Sequence, residues 1–218
     1  LMVGHNSRKR PESRKIKKLI EENQIGKVVT VDSVFSTPTG NTLKPNEWRW
    51  FKDKCPGGPL LQIGVHHIDT LAYLLGQIIK VSGFQKHLHI KAEIIDTTVT
   101  ILEFSSGCLG YINSCYNTVY TYEINLDGTK GKICYSDADG LWITDLHGNK
   151  KEIKLACKNP VEESIFAEIE EFADCIKRGK KPEVGGKEGL NSLAVTIAAI
   201  MSYKTGKIID VEKLIQNS

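Results

Sequence analysis

Nowhere in the 218 residues is there an apolar run near the ~18 side chains that a membrane-spanning helix requires. The opening basic residues have no apolar core behind them, so no secretory leader is legible. No Cys-x-x-Cys pair occurs. The six cysteines, at 55, 108, 115, 134, 157 and 175, are scattered, which reads as reduced thiols in a cytoplasmic protein and not as a disulfide frame or zinc site. Charge of one sign is scarce as well: a net +3 gives no compositional case for nucleic-acid binding. Nucleotide loops are missing, with neither G-x-G-x-x-G nor G-x-x-x-x-G-K-[ST] present. The nearest glycine cluster, Gly185-Gly186-Lys187-Glu188-Gly189, reads as a loop before the last helix. An initiator methionine is also lacking. Leu1-Met2-Val3-Gly4 reads as the tail of a strand already in progress, as though cut from something longer.

What is present is an ordinary globular composition, 40% apolar and 25% charged. Pro11 to Gln24 predicts a helix, with proline in the first turn and Gly26 to end it. Its apolar residues are Ile16, Leu19 and Ile20. The basic residues Arg8, Lys9, Arg10, Arg14, Lys15, Lys17 and Lys18 read as a solvated face around them. Lys27 to Thr37 predicts a strand, and Pro38 to Pro56 an aperiodic stretch of a length that is often functional. From Ile78 to Leu155 strands follow one another. Tyr120, Tyr122, Ile124 and Leu126 alternate with polar residues, and short turns imply antiparallel neighbours. Two helices close the chain, the first with a stripe of Ile165, Ile169, Phe172 and Ile176, the second with Leu190, Leu193, Ala194, Ile197 and Met201. The pattern predicts an α+β domain, a mostly antiparallel open sheet with helices on one face. The bare sheet face would then make a dimer or tetramer.

Gly57 to Leu75 carries most information. Leu61, Val65, Ile68, Ala72 and Leu75 form one helical stripe, and Gln62, His66, Asp69 and Tyr73 a second, polar one. Polar side chains on so apolar a helix must be hydrogen-bonded or face a cavity.

The run Gly57-Gly58-Pro59-Leu60-Leu61-Gln62-Ile63-Gly64-Val65-His66-His67-Ile68-Asp69 resembles the signature helix of the glucose–fructose oxidoreductase, inositol dehydrogenase and rhizopine-catabolism protein (Gfo/Idh/MocA) family. Val3-Gly4-His5-Asn6-Ser7-Arg8 resembles that family's crossover into its second domain. Ile25-Gly26-Lys27-Val28, Trp48-Arg49, Asp127-Gly128-Thr129-Lys130-Gly131 and Glu188-Gly189-Leu190 follow in the family's order. The resemblance implies an enzyme with a Rossmann domain for NAD or NADP, followed by a C-terminal domain like that of glyceraldehyde-3-phosphate dehydrogenase. The family's Glu-Lys-Pro tripeptide, from the first domain, does not occur here. Residues 1–10 are therefore expected to be the remnant of the crossover from an absent Rossmann domain, and residues 11–218 the substrate-binding and oligomerisation domain.

By the same resemblance His66 is the candidate general acid/base, a task that suits a side chain titrating near neutrality. Gln62 stands where many members carry aspartate; it can orient a substrate but cannot ionise. Arg49 and Trp48 are candidate substrate contacts, as is Tyr120, while Asn6 and Arg8 fall where members contact substrate or nicotinamide. The implied substrate is a sugar, nucleotide sugar or polyol. Blander readings stand beside these: the Trp48-Arg49-Trp50 cluster as a loop anchor, Tyr120 as a core residue, and the whole chain as a non-catalytic sugar-binding or scaffolding module. A metal-dependent hydrolase is a further rival, prompted by His66, His67 and Asp69 and by His87 and His89. The last two, read as sharing one strand face, are too few for a zinc site, so no metal site is expected.

Overall fold

The computed structural model describes residues 1–217. Its sheet is assembled from β1 (Val28–Ser36), β2 (Ile78–Lys86), β3 (Thr97–Phe104), β4 (Leu109–Cys115), β5 (Thr121–Gly128), β6 (Gly131–Ser136), β7 (Gly140–Asp145), β8 (Lys150–Ile153) and the two-residue β9 (Ile209–Asp210). The spatial order is β8-β7-β6-β5-β1-β4-β3-β2-β9. Every neighbouring pair is antiparallel except β1 with β4, which run parallel, Val31 facing Gly110. The α+β expectation therefore holds, with one parallel seam at its centre.

One face of the sheet is covered by α1 (Pro11–Glu21), α2 (Val65–Leu75), α4 (Gly186–Thr205) and α5 (Val211–Gln216). The core lies between them, built from Val31, Leu102, Ile112, Ile124 and Ile133 on the strands and Ile16, Ile68, Leu71 and Ala198 on the helices. Gly83 lets α4 lie close against β2, since a Cβ there would stand 2.4 Å from the carbonyl oxygen of Ala199. The other face is bare. Phe84, Val99, Ile101, Leu109 and Tyr111 all point outward from β2, β3 and β4, with Phe84 opposite Val99 and Ile101 opposite Tyr111.

Three expectations need correction. First, the early basic run is not one solvated face. Arg8, Lys9 and Arg10 are buried in a turn before α1, each held by carboxylates distant in sequence or packed beside it: Asp69, Glu171 and Asp137 with Glu12. Second, the buried side of the signature helix is Leu60, Ile68, Leu71 and Leu74, while Leu61, Val65, Ala72 and Leu75 are only partly covered. Third, the apolar stripes of α3 (Pro160–Arg178) and α4 are exposed. Ile165, Ile169, Phe172 and Ile176 face outward, as do Leu190, Leu193, Ile197 and Met201. The small residues Ala194, Ala198 and Ala199, with Val195 and Ser202, form the buried face of α4, because only small side chains fit its close approach to β2.

Candidate active site

The site is built around the start of α2. Gly57 and Gly58 both adopt positive φ, +80° and +49°, and a Cβ on Gly58 would fall 2.0 Å from the carbonyl oxygen of Ile95. Glycine is required for that turn. The chain then makes a π-helical turn over Leu60–Gly64 before α2 begins. Such wide turns are frequent at functional sites. Nothing in the helical periodicity signalled it; the double glycine and Gly64 were the available hints.

The polar stripe exists, but its members serve different partners. Asp69, fully buried, receives two hydrogen bonds from the Arg8 guanidinium, at 2.8 and 2.6 Å. Tyr73 accepts one from Arg14 at 2.9 Å. Gln62, half-buried on the π turn, accepts from the Tyr116 hydroxyl at 2.7 Å and donates to the Cys55 thiol. One amide N–H and one lone pair of Gln62 remain for a ligand.

His66 is the exception. Its Nδ1 is enclosed and without a partner, whereas Nε2 makes no hydrogen bond among the described residues and is not fully enclosed. Burial lowers its pKa, His5 lowers it further, and Asp69 opposes both. The ring is therefore neutral at neutral pH, the state in which it can accept a proton. The adjacent His67 is built differently. It is fully buried, Nδ1 bonds the Ser33 hydroxyl, and the ring packs edge-on against Tyr122 at 4.4 Å. Burial, with His66 and Arg10, drives its pKa down to about 3. His67 is a core residue.

Asn6 donates to the Ser164 hydroxyl at 2.8 Å, and His5 beside it meets the His66 ring edge-on at 5.8 Å between centroids. His5 was not singled out from the sequence, although it lies within the crossover motif. Arg49 and Trp48 are exposed on the long loop, the guanidinium 5.4 Å from the Trp48 ring. Arg49 acts electrostatically on Cys55 and Tyr116, the two side chains that bracket Gln62. Trp50 packs into a satellite core of Cys55, Ile90, Ala92, Ile94 and Tyr116, so the loop-anchor reading fits Trp50 alone.

Tyr120 lies just before β5 and is half-exposed, so it is not core-facing. Its hydroxyl donates to Asp137 at 2.6 Å, and burial raises its pKa to about 12. Asp137 also binds Arg10 at 2.5 Å. Phe35 touches both His67 and Tyr120, which links this group to α2. An open cleft of about 330 Å³ runs beside Tyr120, lined by Tyr122, Glu123, Ser136 and Asp137.

His87 and His89 do not share a strand face. They follow β2 in a loop, where His87 bonds the Ile90 carbonyl and the N–H groups of Leu88, His89 and Ile90 converge on the Asp96 carboxylate. Among the described residues no three His, Cys, Asp or Glu side chains are grouped to hold a metal ion. Nor, among the described residues, is any helix long and apolar enough to cross a membrane.

The sequence matches the model of the GFO/IDH/MocA C-terminal domain over residues 13–134. It is 26% identical to myo-inositol 2-dehydrogenase of Thermotoga maritima over 225 residues, covering 99% of this chain and 65% of that protein. It is 27% identical to the NAD(+)-dependent scyllo-inositol 2-dehydrogenase of Bacillus subtilis over 219 residues, covering 96% of this chain and 62% of that protein. Among solved structures, an oxidoreductase from Desulfitobacterium hafniense superposes with a TM-score of 0.90 at 31% identity, over 98% of this chain and 65% of that one. The chain thus spans under two-thirds of the length of these relatives.

Proposed function

Because this chain belongs to the GFO/IDH/MocA family, whose C-terminal domain it matches, we propose that it forms the substrate side of an oxidoreductase acting on a sugar or polyol hydroxyl. The observation that carries this is the setting of His66: half-buried, its Nδ1 enclosed, its Nε2 without a hydrogen bond among the described residues, and one helical turn along from Gln62. In alcohol oxidation the hydroxyl proton passes to Nε2 as the C–O bond becomes a carbonyl. In the reverse direction the same nitrogen returns it. Gln62, fixed by Tyr116 and Cys55, orients a neighbouring hydroxyl without exchanging protons. Arg49, Trp48 and Tyr120 are the proposed outer contacts, the aromatic rings offering faces to a sugar ring.

A nicotinamide cofactor, NAD or NADP, supplies the hydride acceptor in such chemistry. The residues of this chain do not fit as its main seat. Arg8 is held through Nε and Nη2 by Asp69, with Nη1 3.9 Å from Glu183, the Asn6 amide donates to Ser164, and no glycine-rich loop is present. The proposal therefore assigns residues 1–10 to a crossover from a nucleotide-binding domain outside this chain and residues 11–218 to the substrate and assembly domain. The exposed stripes of α3 and α4 support that reading, as do the longer relatives. The six cysteines, none in a disulfide, suit a cytoplasmic setting. A second copy is proposed on the bare sheet face.

In the enzyme that carries its nucleotide-binding domain, His66→Ala should lower turnover at least ~100-fold. Polyol-dependent reduction of NAD or NADP measures it, and near-normal turnover would remove His66 from the mechanism.

A further inference from the structure

His66 lacks what usually steadies a reactive histidine. Such a ring is commonly held by a hydrogen bond at the nitrogen it does not use, which fixes both tautomer and orientation. Here that nitrogen is Nδ1, enclosed and unpartnered. What stands against the ring instead is His5. It reaches α2 from the chain's first stretch, where its N–H bonds the Val3 carbonyl and the next residue, Asn6, is tied to Ser164 of α3. His5 is itself buried, and its Nδ1 is also enclosed without a partner. The two rings meet at 90°, 5.8 Å apart.

We propose that His5 is a positioning residue for His66, with the two rings forming a coupled pair that holds His66 edge-on and admits a single positive charge. This rests on the reading of His66 as the proton acceptor. The surroundings bear it out. On α2, Asp69 faces both rings, but its carboxylate is committed to Arg8, so it is a weakened counter-ion for a second imidazolium. Arg8, from the same turn as His5, adds a positive charge on the His5 side. His67, next along α2, is kept neutral by burial. On α3, Glu168 lies against Gly4, with one carboxylate oxygen enclosed and unpartnered; burial raises its pKa, and Lys9 pulls it back. Two cations about 6 Å apart in such a half-buried setting repel strongly enough to separate their titrations. The pair would keep His66 uncharged and ready at neutral pH, and would discourage re-protonation from solvent until substrate delivers the proton.

The test is an NMR pH titration of the chain with ¹³C-labelled histidine, in the wild type, His5→Phe, His5→Gln and His66→Phe. In the wild type, the His5 and His66 signals should each show two inflections at shared pH values. In His5→Phe and His5→Gln the His66 curve should collapse to one step at higher pH, and His66→Phe should do the same for His5. Independent single-step curves in the wild type would overturn the pair without any variant. So would a His66 midpoint that stays put in His5→Gln, the polar variant that guards against misfolding in His5→Phe. The turnover of His66→Ala separates the two ideas. Uncoupled rings with a crippled His66→Ala enzyme sink the pair alone. Coupled rings with an active one sink the catalytic reading and, with it, the positioning role.

Discussion

Adjacent histidines on one helix can differ completely in what surrounds them. His67 spends Nδ1 on Ser33 and is enclosed by Phe35 and Tyr122, whereas His66 keeps Nε2 open. The difference has a consequence for stability. The folded state holds the His67 pKa at about 3, below its ordinary 6.5, so below pH ~6.5 the unfolded chain takes up a proton that the folded chain refuses. That contribution is fully present above pH 6.5 and is lost as pH falls toward 3, at up to ~1.4 kcal/mol per pH unit. Urea unfolding at a series of pH values should show this decline, and His67→Asn should flatten it; an unchanged slope in the variant would assign the pH dependence to other groups. The histidine motif itself was legible in the sequence, and so was the division between His66 and Gln62. The partners were not. Arg8 meets Asp69 across 61 residues, and Lys9 meets Glu171 across 162, so a basic run read locally as a solvated face. Only the fold reveals that three of its members are buried ion-pair partners, the kind whose disruption costs ~3–5 kcal/mol.

Elements were read more securely than their faces. Strand alternation located the inward residues of β5, because a period of two leaves little ambiguity. The signature helix was harder. The π turn at Leu60–Gly64 shifts the phase, so the buried face became Leu60, Ile68, Leu71 and Leu74. The small element β9 and the short helix α5 lie after the last helix that periodicity identified and were too short to register. The outward side of β2, β3 and β4 has a sharper consequence. Phe84, Val99, Ile101 and Tyr111 form a cross-strand apolar block on the bare sheet face, toward its β9 edge, which suits a self-complementary contact with a second copy. Sedimentation should show a dimer or larger assembly for the chain, and Ile101→Arg should shift it to monomer with its circular dichroism unchanged. A wild-type chain that is monomeric at high concentration would count against the sheet-face proposal.

At the scale of the whole molecule, two uncovered surfaces stand apart. One is the sheet face. The other is the apolar surface of α3 and α4, whose stripes are exposed among the described residues; α3 packs chiefly on the 6–9 turn and α1. The candidate site lies where the crossover segment, the start of α2 and the long loop converge, with His66 presenting its free nitrogen. The proposal divides labour accordingly, with the proton acceptor and substrate contacts in this chain and the dinucleotide held elsewhere. The most direct test is a fluorescence titration of the 218-residue chain with NADH and NADPH. The division of labour predicts no saturable binding of either dinucleotide; tight, saturable binding by this chain alone would contradict it.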